Sequence, residues 1–307
     1  MGRYLGRRML QFIPVFFGAT FLIYVMVWAI PGDPIRALAG ERPMAPSVHQ
    51  ALVEAYNLDD PLPIQYGKYI GGVLQGDFGI DFRGRPVSNL LKQRLPVTLR
   101  LATTAFFLEV VIGIVAGIVA GVRKGKFIDN LVLVSTLVVI AIPIMVLGFV
   151  AQVVVGVRLG WLPVSGIQNG WLSYVLPGSV LASVSLAYVA RLTRTSLVEN
   201  LRSDYVRTAV AKGLSRRRVV GIHTLRNSLI PVVTFLAVDL GVLMGGAIIT
   251  EGIFNIPGIG QAVFDGVRRQ EGTVVVGIVT FLVFVYMVAN LVVDILYAIL
   301  DPRIRYE

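Results

Sequence analysis

Six stretches of this chain stay apolar for roughly twenty residues or more, with edges near 9–30, 98–122, 130–156, 172–190, 229–250 and 273–299. A bilayer hydrocarbon core about 30 Å thick is crossed by roughly 20 residues of helix. In lipid every backbone donor and acceptor must be satisfied within the protein, and unbroken apolar runs do this as helices. Composition agrees: 55% of residues are hydrophobic, 15% are charged and the mean hydropathy is +0.75, against about a quarter charged in soluble domains. The chain reads as an all-α polytopic membrane protein with six transmembrane helices. Arg3, Arg7 and Arg8 precede the first block in the manner of a secretory signal. Its apolar run exceeds the usual 7–15 residues and no A-x-A site follows, so it is read as a retained span.

Six spans place both termini on one side of the membrane. Segments 1–8, 123–129, 191–228 and 301–307 carry 17 Lys/Arg against five acids. Segments 31–97, 157–171 and 251–272 carry ten Lys/Arg against ten acids, and seven of those basic residues lie in 31–97. Segments longer than about 60 residues translocate largely regardless of charge. The short loops then stand at 17 to 3, which makes both termini cytoplasmic and accounts for the net charge of +10 without nucleic acid.

Several chemistries are excluded. Cysteine is absent, so thiolate nucleophiles, disulfides and cysteine metal sites are impossible. The two histidines, His49 and His223, are assigned to opposite faces and cannot share a metal. Neither a zinc site nor a histidine-based hydrolytic triad is supported. The string nearest to a phosphate-binding loop, Gly121–Phe127, has three residues between its glycines instead of four and Phe in place of Ser or Thr. Nucleotide, if it powers this chain, binds another subunit, and no cofactor is expected here.

Between the first two spans lies a long extracytoplasmic segment, read as a small folded cap over 31–97. Pro31-Gly-Asp-Pro34 stops the first helix, and Ser47–Leu58 is weakly helical with Val48, Leu52 and Ala55 on one face. Gly76-Asp77-Phe-Gly79 and Arg94-Leu-Pro96-Val-Thr98-Leu99 follow. Gly113, Gly117 and Gly121 make two G-x-x-x-G steps suited to close helix packing in lipid. Pro143 and Pro177 are expected to kink their spans. Arg100, Glu109, Asp239 and Asp294 are ionisable residues at or near membrane depth, where insertion scales put a charge at about 2.5–3.5 kcal/mol. Asp239, near Gly241, Gly245 and Gly246, and Glu109 are candidates for a pathway or a helix interface, with a hydrogen-bonded structural role as the alternative.

The segment Arg191–Ser228 holds nine Lys/Arg, two acids and one aromatic, Tyr205. Asp204 is placed to cap a helix Tyr205–Lys212, Gly213 to end it left-handed, and Ser215 to cap a second helix reaching towards Pro231. A solvated positive face, a patch for anionic membrane lipid, a nucleic-acid site and a protein-docking element all fit the composition. The paired caps around one glycine favour docking, and the lack of aromatic stacking platforms disfavours nucleic acid.

The runs Asp204-Tyr-Val-Arg-Thr-Ala-Val-Ala-Lys-Gly213-Leu-Ser and His223-Thr-Leu-Arg-Asn227-Ser-Leu-Ile-Pro231 closely resemble the cytoplasmic loop of ATP-binding-cassette (ABC) importer permeases. The likeness is greatest to the dipeptide/oligopeptide/nickel class of the DppB/OppB type. Against the superfamily loop E-A-A-x-x-x-G then I-x-L-P, this chain has Arg207-Thr208-Ala209 and His223-Thr-Leu225-Arg226, departures that look like the peptide class's own version. Pro31–Pro34, Gly76–Gly79, Arg94–Leu99, Gly246–Gly260 and Asp301-Pro-Arg-Ile-Arg305 extend the likeness along nearly the whole chain.

The resemblance implies a type I ABC importer (MetI-like) permease fold. It would comprise an N-terminal region 1–97, a five-helix core 98–300 and a cytoplasmic tail 301–307. It implies that Tyr205–Gly221 forms coupling helices in a cleft of a cytoplasmic ATPase. Asp204, Tyr205, Arg207, Ala209, Lys212, Gly213, Leu214, Ser215, Arg217, His223, Arg226, Asn227 and Pro231 then belong to the coupling loop. Glu109, Asp239, Gly245, Gly246 and Glu251 are assigned to the path or permease interface, and Asp77, Phe254, Pro257, Gly258 and Gly260 to the binding-protein or gate side. The implied partners are a second, non-identical permease, two ATPase subunits carrying ATP and magnesium, and an extracytoplasmic substrate-binding protein. The implied site is the cell membrane, and the cargo a di- or oligopeptide, with nickel chelates, glutathione or another small solute as alternatives. The competing class is a proton-coupled secondary transporter using Glu109 or Asp239, whose usual internal repeat is not evident here.

Overall fold

The computed structural model describes residues 2–28, 35 and 45–300; Pro31–Pro34 and the tail 301–307 lie outside the described residues, as do the side chains of Gly246 and Asp294. The described residues form helices joined by short turns, with one isolated antiparallel bridge, Ile80 to Pro86. Four helices are long and apolar enough to cross a membrane: Gly6–Trp28 within α1 (Gly2–Trp28), α4 (Val87–Val122), α7 (Leu172–Asn200), and Gly272–Val292 within α12 (Gly272–Leu300). Three bent pairs pass the same test when joined. These are α5 (Phe127–Ala141) with α6 (Ile144–Arg158) at 105°, α9 (Arg216–Ser228) with the first part of α10 (Ile230–Phe254) at 46°, and the end of α10 with α11 (Ile259–Arg268).

Proline acts more strongly than a kink in the third apolar block. Ile142, the residue before Pro143, is extended (φ −94°, ψ 126°), as the clash with the proline ring demands, and the block divides into two helices. Pro177 lies inside α7, which stays one helix from Leu172 to Asn200. The second block begins earlier than its apolar run suggests, because α4 extends back to Val87 through Arg94 and Pro96.

The chain divides into two compact units, Met1–Leu99 with Asn255–Glu307, and Arg100–Phe254. By contact the C-terminal helix groups with the N-terminal region. In that unit α2 (Pro46–Tyr56) starts on a proline at its first helical position and closes on Asn57 at φ 53°. Its buried face is Leu52 and Tyr56, packed with Ile35, Trp28 and Ile80. Val48 and Ala55 are exposed instead, because the i, i+4 pair rather than the i+3 neighbour meets the cluster. α3 (Leu62–Val73) follows Pro61. A second cluster joins Val87 and Leu91 of α4 to Ile259 and Val263 of α11 and Ile278 of α12.

In the other unit α4 lies against α7 along the glycine stripe. A Cβ added at Gly113 would stand 2.8 Å from Val189 Cγ1, at Gly117 2.5 Å from Thr193 Cβ, and at Gly121 3.0 Å from Leu197 Cδ2. The three glycines meet positions four residues apart on one face of α7, a ridge-and-groove fit in which backbone replaces side chain. Gly117→Leu is therefore expected to destabilise the membrane-extracted protein by about 1–3 kcal/mol, the usual penalty of overpacking. Gly71→Ala, with nothing within 4 Å, should be near neutral; thermal unfolding in detergent compares the two, and equal losses would refute the packing account.

Candidate coupling hairpin and intramembrane carboxyls

From Asp204 to Ser228 the chain folds as a helical hairpin with its own small core. α8 (Asp204–Ala211) buries Val206 and Ala209 against Val219 of α9, with Leu214 packed beside them. Ser203, not Asp204, occupies the N-cap position; its hydroxyl donates back to Asn200 O at 2.6 Å. Asp204 sits one residue later, inside the first turn, where an acid favours the positive helix end. The expected cap is thus displaced by one position, since Ser203 already takes the extended backbone (φ −71°, ψ 155°) that a cap requires.

Gly213 has φ 75°; its N–H donates to Val210 O at 2.9 Å and Leu214 N–H to Ala209 O at 3.3 Å. This is a Schellman closure, and Leu214 supplies its hydrophobic contact. Ser215 takes the N-cap position of α9. Inside α9 the backbone widens to a π-helix over Val219–Thr224, where the Thr224 hydroxyl bonds Val219 O at 3.0 Å. The hairpin is tied to the end of α7 by Tyr205 Oη, which donates to Asn200 Oδ1 at 2.7 Å, and Ser228 is buried.

Exposure sorts the predicted loop residues into two groups. Asp204, Tyr205, Arg207, Lys212, Gly213, Ser215, Arg217, His223, Arg226 and Asn227 are exposed, whereas Ala209 is buried and Leu214 and Pro231 are half-buried. Among the exposed basic residues stand two apolar ones, Val210 and Ile222, 59% and 60% exposed.

The predicted path and gate residues are placed as follows. Glu251 and Phe254 are buried at the end of α10, and Gly245 is exposed along it. Gly258, in extended conformation, precedes α11, where Gly260 is buried and Pro257 half-buried; Asp77 is exposed. Two of the sequence motifs meet in this unit. Thr98 Oγ1 accepts Ile259 N–H at 2.8 Å, and Arg94 Nη1 donates to Gln261 Oε1 at 3.2 Å. Glu109 and Asp239 are both buried and are neighbours, Glu109 opening a π-helical insert in α4 (Glu109–Gly113) and Asp239 on α10 beside Ser185 of α7.

Three features escaped the sequence reading. Asp129, 1% exposed, accepts Arg194 Nε at 2.9 Å and Nη2 at 2.8 Å, and also Gly125 N–H at 2.8 Å, which fastens the α4–α5 turn to α7. Gln152 Nε2 donates to Val164 O at 2.9 Å and to Ile253 O at 3.0 Å. The third is the turn over Ile80–Pro86, built around Asp81. Residues 65 and 101 positions apart carry no local spacing signal that could pair the first two.

Together these elements define a polytopic helical membrane subunit that presents a basic helical hairpin. The comparisons place that class. The model of the binding-protein-dependent transport system inner membrane component family matches residues 113–306, and its N-terminal companion matches 1–102. The di/tripeptide transport system permease protein DppB of Pseudomonas aeruginosa is 37% identical, the match covering 99% of each chain. The glutathione transport system permease protein GsiC of Salmonella paratyphi A is 39% identical over 100% of each chain. Dipeptide permease DppB of Escherichia coli K12 is 36% identical, again over 100% of each. An inward-facing MetNI methionine ABC transporter structure aligns with TM-score 0.57 and 20% identity, covering 69% of this chain and 96% of that one. The chain belongs to the family of inner-membrane components of binding-protein-dependent transport systems. It is a multi-pass permease subunit of an ABC importer with a MetI-like fold.

Two tests address the local geometry. Gly213 has open space where a Cβ would go, so Gly213→Val meets no clash and suffers only the left-handed backbone, about 1–2 kcal/mol. Faster amide exchange across 204–228 in an inserted protein is expected, with Gly213→Asn much milder. Burial opposes the charge of Asp81, yet the backbone N–H of Arg85, its guanidinium and the N–H of Arg83 outweigh it and hold the carboxyl below the usual aspartate range. Its stabilisation is therefore complete above about pH 4 and lost as pH falls through the lower folded value. Glu271, raised first by burial and then by Asp81, acts in the opposite sense. In a Glu271→Gln background, Asp81→Asn should remove about 1.5–3 kcal/mol and flatten the acid limb of an unfolding curve; an unchanged limb refutes the assignment.

Proposed function

We propose that this chain is one of two non-identical permeases that line the translocation path of a short-peptide importer, with six spans, both termini cytoplasmic and the cap over 31–97 outside. The observation that carries the reading is the hairpin Asp204–Ser228: exposed, internally packed, and closed by a left-handed glycine. Such a unit can seat in an ATPase cleft and pass on a rigid-body rotation, where a loose loop would dissipate it. Tyr205, Arg207, Val210, Lys212, Ile222 and His223 form the proposed contact with two cytoplasmic ATPases, which bind the ATP and magnesium. The region around Asp77 and the turn Phe254–Gly260 are assigned to the side that meets a substrate-binding protein and gates the path, and Asp239, Gly245, Gly246 and Glu251 to the path or the permease interface.

Peptide as cargo is favoured by relatives named for di/tripeptides and glutathione, itself a small peptide. Chelated nickel and other small solutes are the remaining cargoes of the class.

Affinity purification of this chain from native membranes in mild detergent is expected to bring ATPase subunits and a second permease with it. In the reconstituted complex Gly213→Val should abolish peptide-stimulated ATP hydrolysis while subunit insertion persists. A chain that extracts alone, or uptake that survives ATP depletion but collapses with the proton gradient, would replace this reading with a secondary transporter.

A further inference from the structure

A carboxyl group at membrane depth needs a cation, donors or a proton. Glu109 is fully buried, and neither of its carboxyl oxygens has a hydrogen-bond partner; Oδ2 of Asp239, 6% exposed, is buried and unpartnered as well. The two are neighbours across α4 and α10, and α7 contributes the hydroxyl of Ser185 on the Asp239 side. The same three helices share an apolar cluster of Val189, Val232 and Leu236, with Phe106 and Val110, the latter next to Glu109 in the chain, packed against it. Among the described residues Asp239 is the titratable group that faces Glu109, and no cation does.

Two like charges this close in an apolar setting cannot both persist, because each is desolvated and each raises the energy of the other. A metal ion is the poorer solution: hard cations take six or more oxygens, and the described groups converging here are two carboxyls and one hydroxyl. The backbone points the same way. Glu109 is the first residue of a π-helical insert, a distortion of α-helices frequently found at functional sites.

We propose that Glu109 is an intramembrane proton-binding site that shares its proton with the neighbouring Asp239, so that one bound proton ties α4 to α10. The proton stays in place as a structural ligand and is not carried with cargo. This inference is independent of the coupling reading, because its readout involves neither ATP nor transport.

The test is infrared difference spectroscopy on the purified, lipid-reconstituted complex at pH 7. Subtracting Glu109→Gln from the parent is expected to remove a protonated-carboxyl C=O band; loss of a carboxylate band instead would overturn the proposal. Asp239→Asn should leave that band present but shifted, and an unshifted band would overturn Asp239 as acceptor. If either variant fails to assemble, carboxyl-¹³C glutamate in the parent protein must move an acid band belonging to a buried, exchange-protected glutamate, and its absence is again a refutation. Replacing sodium by a large organic cation at constant pH should leave the spectrum unchanged. A change would assign the site to a metal ion.

Discussion

The close approach of α4 to α7 is the constraint on which the rest of the Arg100–Phe254 unit depends. Lipid offers no hydrophobic force to push helices together, so association rests on van der Waals contact and hydrogen bonds made at short range. Gly113, Gly117 and Gly121 admit Val189, Thr193 and Leu197 to distances that any Cβ would forbid. Two polar features sit at the ends of this seam. Near Gly121 the turn into α5 is fixed by Asp129 on Arg194, and before Gly113 Glu109 is enclosed between α7 and α10. A side chain at Gly117 would separate the helices and loosen both.

Much of this was legible in the sequence because it is local or periodic. The apolar blocks, the glycine spacing of four and the left-handed Gly213 each declare themselves within a few residues, and each corresponds to a real element. The same logic fails where the deciding partner is distant. Hydropathy shows that α5 and α6 are apolar but not that Pro143 turns them through 105°, since a proline tells only that its predecessor leaves the α region. The cap was misplaced by one residue because Ser203 and Asp204 are both good caps, and the choice depends on backbone that Asn200 holds from the preceding helix. Asp129, one acid in a short basic loop, is the buried half of an ion pair with Arg194, 65 residues away.

The N-terminal unit shows how separate motifs acquire a common reason. Arg94–Leu99 and Gly258–Gln261 look unrelated in sequence, yet Thr98 receives the first amide of α11 and Arg94 reaches Gln261. Thr98 thus satisfies a donor that the start of α11 would otherwise leave open. Arg94 is needed where a planar donor must reach across two helices.

In the Arg100–Phe254 unit the hairpin is continuous with two helices rather than one. It leaves α7 at Asn200, where Tyr205 bonds back, and enters α10 through a bend of 46°. α7 and α10 are themselves joined through Val189, Val232 and Leu236. A displacement applied at Val210 or Ile222 therefore reaches both helices at once, and their shared core resists sliding of one past the other. Because packed cores resist gradual deformation, under the proposed coupling role a rotation at the hairpin would be passed to α7 and α10 together. Removing the left-handed turn would break that continuity at its narrowest point, while the membrane helices, stabilised by their own contacts, would remain.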